Sequence, residues 1–226
     1  RVLQEGEAFI ISDILSDNNA RAEVFGPRSA LVVAGRTVAV KTGTTNDRRD
    51  NWTVGWTPQV VVGVWVGNND NSPMKEVSSG VTGAAPIWRR IIIEALSGKP
   101  NVGFEVPSDI VTAEVDGISG ARSHDGFPSR TEYFVKGTEP TGQDQVHARL
   151  KVCKSEGRMA TPSQIAGGDY DEKEFIVLKE EDPTSAAGGP NRWQEGIVGW
   201  ISLQADERYK APLEYCGSGN PLNVEF

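Results

Sequence analysis

Lys41-Thr42-Gly43-Thr44 places a cation beside two hydroxyl groups, and the run leading into it, Arg36-Thr37-Val38-Ala39-Val40-Lys41-Thr42, alternates and is rich in β-branched residues. That pattern predicts a strand ending near Gly43. An ammonium and two hydroxyl donors at a strand end form an edge suited to a carboxylate, and the glycine lets a ligand backbone come close. A peptide could pair with the strand's main chain while its terminal carboxylate meets Lys41, Thr42 and Thr44. A bare Lys-Thr-Gly recurs by chance, and a lysine at a strand end is commonly just solvated. Its meaning depends on what surrounds it.

The elements that would hold this edge can be read on either side of it. Residues 3 to 16 put Ala8, Ile11 and Leu15, with Ile10 and Ile14, at helical spacing, so an amphipathic helix is expected to bury that face and stop before Asp17-Asn18-Asn19. A loop containing Gly26-Pro27 follows. After the Lys41 strand, residues 51–57 and 59–67 read as two more strands joined tightly at Thr57-Pro58, giving an antiparallel meander. Pro86 then opens a helix with Ile87, Ile91 and Ala95 on one side and Trp88, Ile92 and Leu96 beside them, ending before Gly98. Helix, antiparallel sheet and helix make an α+β arrangement in which the helices cover the sheet. From Lys99-Pro100 onward the texture turns to short β-like runs between turn clusters, so a boundary is placed near residue 100, with a β-rich region over 101–226. Within that region residues 110–115, 133–135, 148–152 and 175–178 read as strands and 193–204 as a short helix.

The stretch from Gly35 through Pro58, including Val40-Lys41-Thr42-Gly43-Thr44-Thr45-Asn46-Asp47 and Asn51-Trp52-Thr53-Val54-Gly55-Trp56, resembles the third catalytic motif and following hairpin of class A penicillin-binding proteins. The likeness extends upstream to Leu15-Ser16-Asp17-Asn18-Asn19-Ala20-Arg21 and downstream to Val64-Trp65-Val66-Gly67-Asn68-Asn69-Asp70 and Gly83-Ala84-Ala85-Pro86-Ile87-Trp88. Further on, Phe127-Pro128-Ser129-Arg130, Glu132-Tyr133-Phe134 and Gly137-Thr138-Glu139-Pro140 look like the segment that follows the family's transpeptidase domain. Beyond about residue 145 nothing specific is recognised.

The resemblance implies part of a fold of the penicillin-binding transpeptidase and serine β-lactamase type, with residues 1–100 as the C-terminal portion of the transpeptidase domain. In that family a serine is acylated by a D-Ala-D-Ala stem peptide, or by a β-lactam, and an amine then takes the acyl group. Carried over by position, Lys41 would hold positive potential beside the nucleophile, and Thr42 and Thr44 would bind the substrate carboxylate. The Thr44 main-chain N–H would form half of the oxyanion hole, worth roughly 3 kcal/mol of barrier. Gly43 would keep the strand open to the ligand, and Thr45 would play a supporting part. Stem peptide and β-lactams are the implied partners, together with the rest of the parent chain, in an extracytoplasmic protein anchored in the membrane by a segment outside this sequence. No cofactor and no metal are expected.

The sequence departs from the family pattern at the nucleophile. Ser72-Pro73-Met74-Lys75 is the sole Ser-x-x-Lys, but it lies in a loop after the hairpin, whereas the family's serine opens a buried helix well upstream of the Lys-Thr-Gly strand. Ser16-Asp17-Asn18 spells the second motif yet lies too close to Lys41, and it reads better as a helix-terminal cluster. The first residues show neither an initiator methionine nor a signal-peptide core. The nucleophilic serine is therefore expected in upstream chain, and these residues alone should not acylate.

Composition bounds the rest. A length of 226 residues with 38% hydrophobic and 24% charged residues is globular, and 25 glycines and 13 prolines indicate many turns. A formal charge of -8 argues against a basic footprint for nucleic acid. Cys153 and Cys216 are either buried thiols or a disulfide that needs an oxidising compartment. They are too far apart for a short metal-ligand spacing, and His124 and His147 have no partners at useful spacing, so a zinc site is not expected. Trp52, Trp56, Trp65 and Trp88 read as core rather than as a ligand groove, and Lys179-Glu180-Glu181-Asp182 as a solvated turn. The competing function is a non-catalytic cell-wall or peptide-binding module whose sheet edge merely holds a carboxylate. A serine β-lactamase is disfavoured because such chains end soon after the helix at 86–97.

Overall fold

The computed structural model describes residues 2–74, 81–185 and 188–217. The chain divides into two compact units, one formed by residues 1–112 with 133–139 and the other by 113–132 with 140–226.

In the first unit the expected meander forms. Strand β1 (Ala39–Thr44) pairs antiparallel with β2 (Asp50–Thr57), which pairs with β3 (Val60–Gly67), in the order β1-β2-β3. Register places Val40 opposite Gly55, and Gly55 opposite Val62. These residues point to one face of the sheet, where helix α3 (Ala84–Ala95) packs. That face is the core: Val38, Val40, Val62 and Val64 close on Ala84, Ala85, Trp88, Ile92 and Leu96. Helix α3 therefore buries the Trp88, Ile92 and Leu96 side, while Ile87 and Ile91 stay exposed. The helix begins at Ala84, two residues ahead of the predicted Pro86, because the buried Asn51 side chain on β2 accepts the Ala84 backbone N–H at 2.9 Å. A side-chain oxygen reaching across from the sheet takes the place of a local cap.

Helix α1 (Glu5–Ser16) covers the region it was expected to cover, but through a different face. Its buried residues are Gly6, Phe9 and Ser12, while Ala8, Ile11 and Ile14 are exposed. Polar contacts explain the rotation. Ser12 Oγ donates to the Ala8 carbonyl at 2.7 Å and accepts from Trp56 Nε1 at 3.0 Å. The Gly6 N–H donates to Asp109 Oδ2 at 3.2 Å, and a Cβ at position 6 would lie 2.9 Å from that oxygen. Phe9 meets Tyr133 edge to face at 5.1 Å.

A second helix, α2 (Asn18–Phe25), occupies part of the stretch expected to be loop. Asp17 caps it, accepting from the N–H groups of Asn19 at 2.8 Å and Ala20 at 3.2 Å. The Ser16-Asp17-Asn18 triplet is thus a helix junction, as its composition suggested.

Strands β4 (Ile110–Asp116) and β5 (Ser129–Val135) form a two-stranded sheet. The second unit continues with β6 (His147–Val152), α4 (Pro162–Gly167), β7 (Asp171–Ile176) and α5 (Arg192–Ser202), with β6 and β7 antiparallel. Its buried apolar set is small: Val115, Phe127, Val152, Ala160, Phe175 and Ile176 with the two cysteines. Cys153 and Cys216 are joined as a disulfide across a sequence separation of 63, which decides between the two sequence readings. Closing a loop of that length removes about 4 kcal/mol worth of denatured-state freedom in the chain-entropy account. Reduction, or Cys153→Ser with Cys216→Ser, should lower the unfolding free energy of this unit by about that amount, read as a shift in denaturant midpoint with and without reductant.

Candidate functional site

The edge carrying Lys41 is built from the sheet outward. Strand β1 is first in the sheet order, so among the described residues it has a strand neighbour on one side only. Strand alternation puts Val40, Thr42 and Thr44 on the face toward α3 and Ala39, Lys41 and Gly43 on the other. Lys41, Gly43, Thr44 and Thr45 are exposed, and Thr42 is half-buried. The exposed Lys41 ammonium bonds the Thr42 carbonyl at 2.7 Å, so it lies along the strand. A hollow of about 220 Å³ adjoins the start of this segment, bordered by Leu15, Arg21, Leu31, Val40, Lys41 and Thr42.

The turn after the strand is tied down on itself. Thr45 donates through its N–H and hydroxyl to the Asp50 carbonyl at 3.1 and 3.2 Å, and its hydroxyl accepts the Asp50 N–H at 3.1 Å. Asp47 and Arg48 adopt left-handed backbone, with φ of 60° and 54°. Arg49 Nη1 donates to the Asn71 carbonyl at 2.7 Å. The structure therefore brings Lys41, Thr42, Gly43 and Thr44 together on one open segment and places the Thr45 hydroxyl in the turn. Ser72 lies beyond the hairpin, bonded to Asp70, and Lys75 is outside the described residues.

The tryptophans do not form one core. Trp88 is fully buried, but Trp52 and Trp65 are 47% and 42% exposed and sit directly opposite each other on the face away from α3. Trp65 Nε1 donates to Asp50 Oδ2 at 3.0 Å. The Trp65 ring lies against Asp50 and Gly67, and neither ring is buried.

The expectation that the histidines lack partners is corrected. His147 is buried in the second unit against Asp116 and Asp144, also buried, and stacks on Phe127 with centroids 5.1 Å apart. His124 bonds Asp125 and the Asp144 carbonyl, contacts that raise its pKa, the Asp125 side chain most. The Asp144-x-x-His147 spacing was visible in the sequence, but Asp116 lies far upstream and nothing local connects it.

A family profile described as "Penicillin-binding protein 1A, C-terminal domain" matches residues 106–149. Penicillin-binding protein 1A of Clostridium botulinum is 33% identical over 173 residues, 72% of this chain and 20% of that protein. The Escherichia coli protein of the same name is 33% identical over 162 residues, 62% of this chain and 18% of that protein. The chain belongs to the class A penicillin-binding protein family. It spans about a fifth of the length of these relatives. A crystal structure of penicillin-binding protein 1A from Haemophilus influenzae is 35% identical over 48% of this chain and 16% of that one, with a TM-score of 0.44.

Within this class A penicillin-binding protein chain, one glycine controls how the candidate edge is seated. A Cβ at Gly55, opposite Val40, would lie 2.4 Å from Trp88 Cζ2 and 2.9 Å from the Ala39 carbonyl oxygen. Gly55→Ala should therefore force α3 off the sheet or tilt β1, at a cost of about 1–3 kcal/mol. A lowered midpoint in thermal or denaturant unfolding checks this.

Proposed function

We propose that this chain supplies the substrate-binding strand of a peptidoglycan D,D-transpeptidase. Residues 1–100 are the C-terminal portion of the transpeptidase domain, and residues 101–226 form its β-rich C-terminal region. The nucleophilic serine comes from outside these residues, since the sequence holds no Ser-x-x-Lys at a helix start. On this reading residues 1–226 do not acylate alone. The parent is extracytoplasmic and anchored in the membrane elsewhere; among the described residues no helix is long and apolar enough to cross one.

The observation that carries the reading is Gly43 in its setting, flanked by Lys41, Thr42 and Thr44 on an exposed edge strand. It lies in the open strand β1, its φ is not left-handed, and a Cβ built on it meets nothing within 4 Å. Neither the backbone nor the chain's own packing calls for glycine there, although glycine weakens a strand. A ligand main chain laid along the edge does call for it. In that arrangement the Lys41 ammonium, now bonded to the Thr42 carbonyl, supplies positive potential at the nucleophile. The Thr42 and Thr44 hydroxyls receive the terminal carboxylate of the stem peptide, or the carboxylate of a β-lactam, as charge-assisted bonds. The Thr44 N–H faces the developing oxyanion. Thr45 acts indirectly, by holding the turn to Asp50.

Fluorescent penicillin labelling of the full-length protein tests this. Lys41→Ala should slow labelling about a hundredfold, the scale of losing one preorganised electrostatic partner. Gly43→Val should block labelling while leaving the melting temperature within about a degree, because valine suits a strand and meets no neighbour. Native labelling rates in both variants would show that this edge does not seat the ligand.

A further inference from the structure

The second unit buries two carboxylates around one imidazole. Asp116, Asp144 and His147 are 0%, 4% and 6% exposed. Asp116 Oδ1 is satisfied by the N–H groups of Ile118 and Ser119, each at 2.8 Å. Asp144 accepts from the N–H groups of Val146 at 3.0 Å and His147 at 2.9 Å, and the Ser119 side chain also bonds it. What remains is one imidazole nitrogen between two carboxylate oxygens. His147 Nδ1 lies 2.8 Å from Asp116 Oδ2 and 3.1 Å from Asp144 Oδ2. A ring nitrogen carries at most one hydrogen. The geometry directs it to Asp144, and Asp116 Oδ2 is left buried with no hydrogen bond.

Hydrogen bonding narrows what completes this arrangement. One ring nitrogen cannot donate to Asp116 Oδ2 and Asp144 Oδ2 at once, and Asp116 Oδ2 is the oxygen left over. Uncompensated charge away from water is expensive enough that it is normally paired or coordinates a metal. A divalent cation bound to the deprotonated Nδ1 neutralises both carboxylates and satisfies Asp116 Oδ2 in the same step.

We propose that Asp116 Oδ2, Asp144 Oδ2 and His147 Nδ1 form a structural site for a divalent first-row transition ion of the zinc type. Three such ligand atoms, all within 4.8 Å of one another, would supply three of the four ligands of a tetrahedral ion. A tetrahedral zinc ion holds its ligand atoms roughly 3.3 Å apart, so binding would spread Nδ1 slightly from the two carboxylate oxygens, which lie 2.8 and 3.1 Å from it. The donor set decides the class of ion: an imidazole nitrogen with carboxylates suits zinc and its neighbours better than calcium or magnesium, which prefer all-oxygen sites. The other ring nitrogen, Nε2, faces Glu174 Oε1 at 3.9 Å, and Phe127 covers the ring. A carboxylate behind a ligating histidine is a common outer partner. Binding here would pin β6 to the end of β4 and so brace a unit with a small apolar core.

The test uses the disulfide-intact 226-residue chain, freed of metal and titrated with Zn²⁺. Calorimetry should give one site, the melting temperature should rise with Zn²⁺, and Asp116→Asn should bind at least about tenfold more weakly. The chain has only two histidines, so long-range ¹⁵N–¹H spectra separate them. Zn²⁺ should move His147 Nδ1 to a metal-bound shift with Nε2 still protonated and leave His124 unchanged. An Asp116→Asn protein that binds Zn²⁺ like the native chain overturns the site. So does a His147 ring protonated on both nitrogens at saturating Zn²⁺, a result that stands even if the variant fails to fold.

Discussion

The first unit depends on the indole of Trp88 occupying the space where residue 55 has no side chain. Trp88, Ala84 and Ala85 are all fully buried, so α3 approaches the sheet through small residues and inserts one large ring. Burying a tryptophan contributes about 3–5 kcal/mol against its loss. Because Gly55 faces Val40, and Ala39's carbonyl also bounds the same space, that ring sets the position of β1 as well as β2. Lys41 follows directly. At the other end of β2, the Asn51 side chain holds the first turn of α3. Strand β2 is thus clasped to the helix near both ends, and the candidate edge is one strand removed from the clasp.

The two units meet the demand for stability differently. The first has a continuous apolar core between one sheet face and α3. The second has few buried apolar side chains and is cross-connected by the disulfide and by the bridge from Met159 to Tyr215. Small cores are commonly supplemented by such staples. Cys216 also donates its N–H to the Met159 carbonyl, so the disulfide and the strand bridge restrain the same segment.

What could be read in advance follows the range of the interactions. The hairpins were legible because alternation and β-branching act within a few residues, and the three strands lie where that pattern placed them. The buried face of α1 was not. Apolar spacing nominated Ala8, Ile11 and Leu15, but Ser12 and Gly6 took the inward positions through hydrogen bonds to Trp56 and Asp109, residues distant in sequence. The exposure of Trp52 and Trp65 was missed for a related reason: alternation assigns them to one face without saying which face is covered. His147 was missed because its decisive partner, Asp116, lies on another strand. At the candidate edge, Lys41 through Thr44 were nominated by residue type and likeness, whereas the closure of Thr45 onto Asp50 needed the turn.

Glycines in the sheet show why residue type alone could not decide what the edge is for. Gly55 and Gly67 are required by the chain itself, since a Cβ at position 67 would lie 2.5 Å from the Trp65 ring. Gly43 is not required in that way, yet neither is Gly63 on β3, whose Cβ would meet only Val54 at 3.8 Å. Open space therefore does not single out Gly43. Its neighbours do: a lysine turned along the strand and two hydroxyl residues flank it, whereas Gly63 lies between Val62 and Val64. An exposed sheet edge is ordinarily blunted by charge to prevent pairing with another chain. A lysine free in solvent would serve that purpose alone. Lys41 instead turns its ammonium to the strand's own Thr42 carbonyl, while alternation sets the Thr42 and Thr44 side chains on the opposite face of the same edge strand.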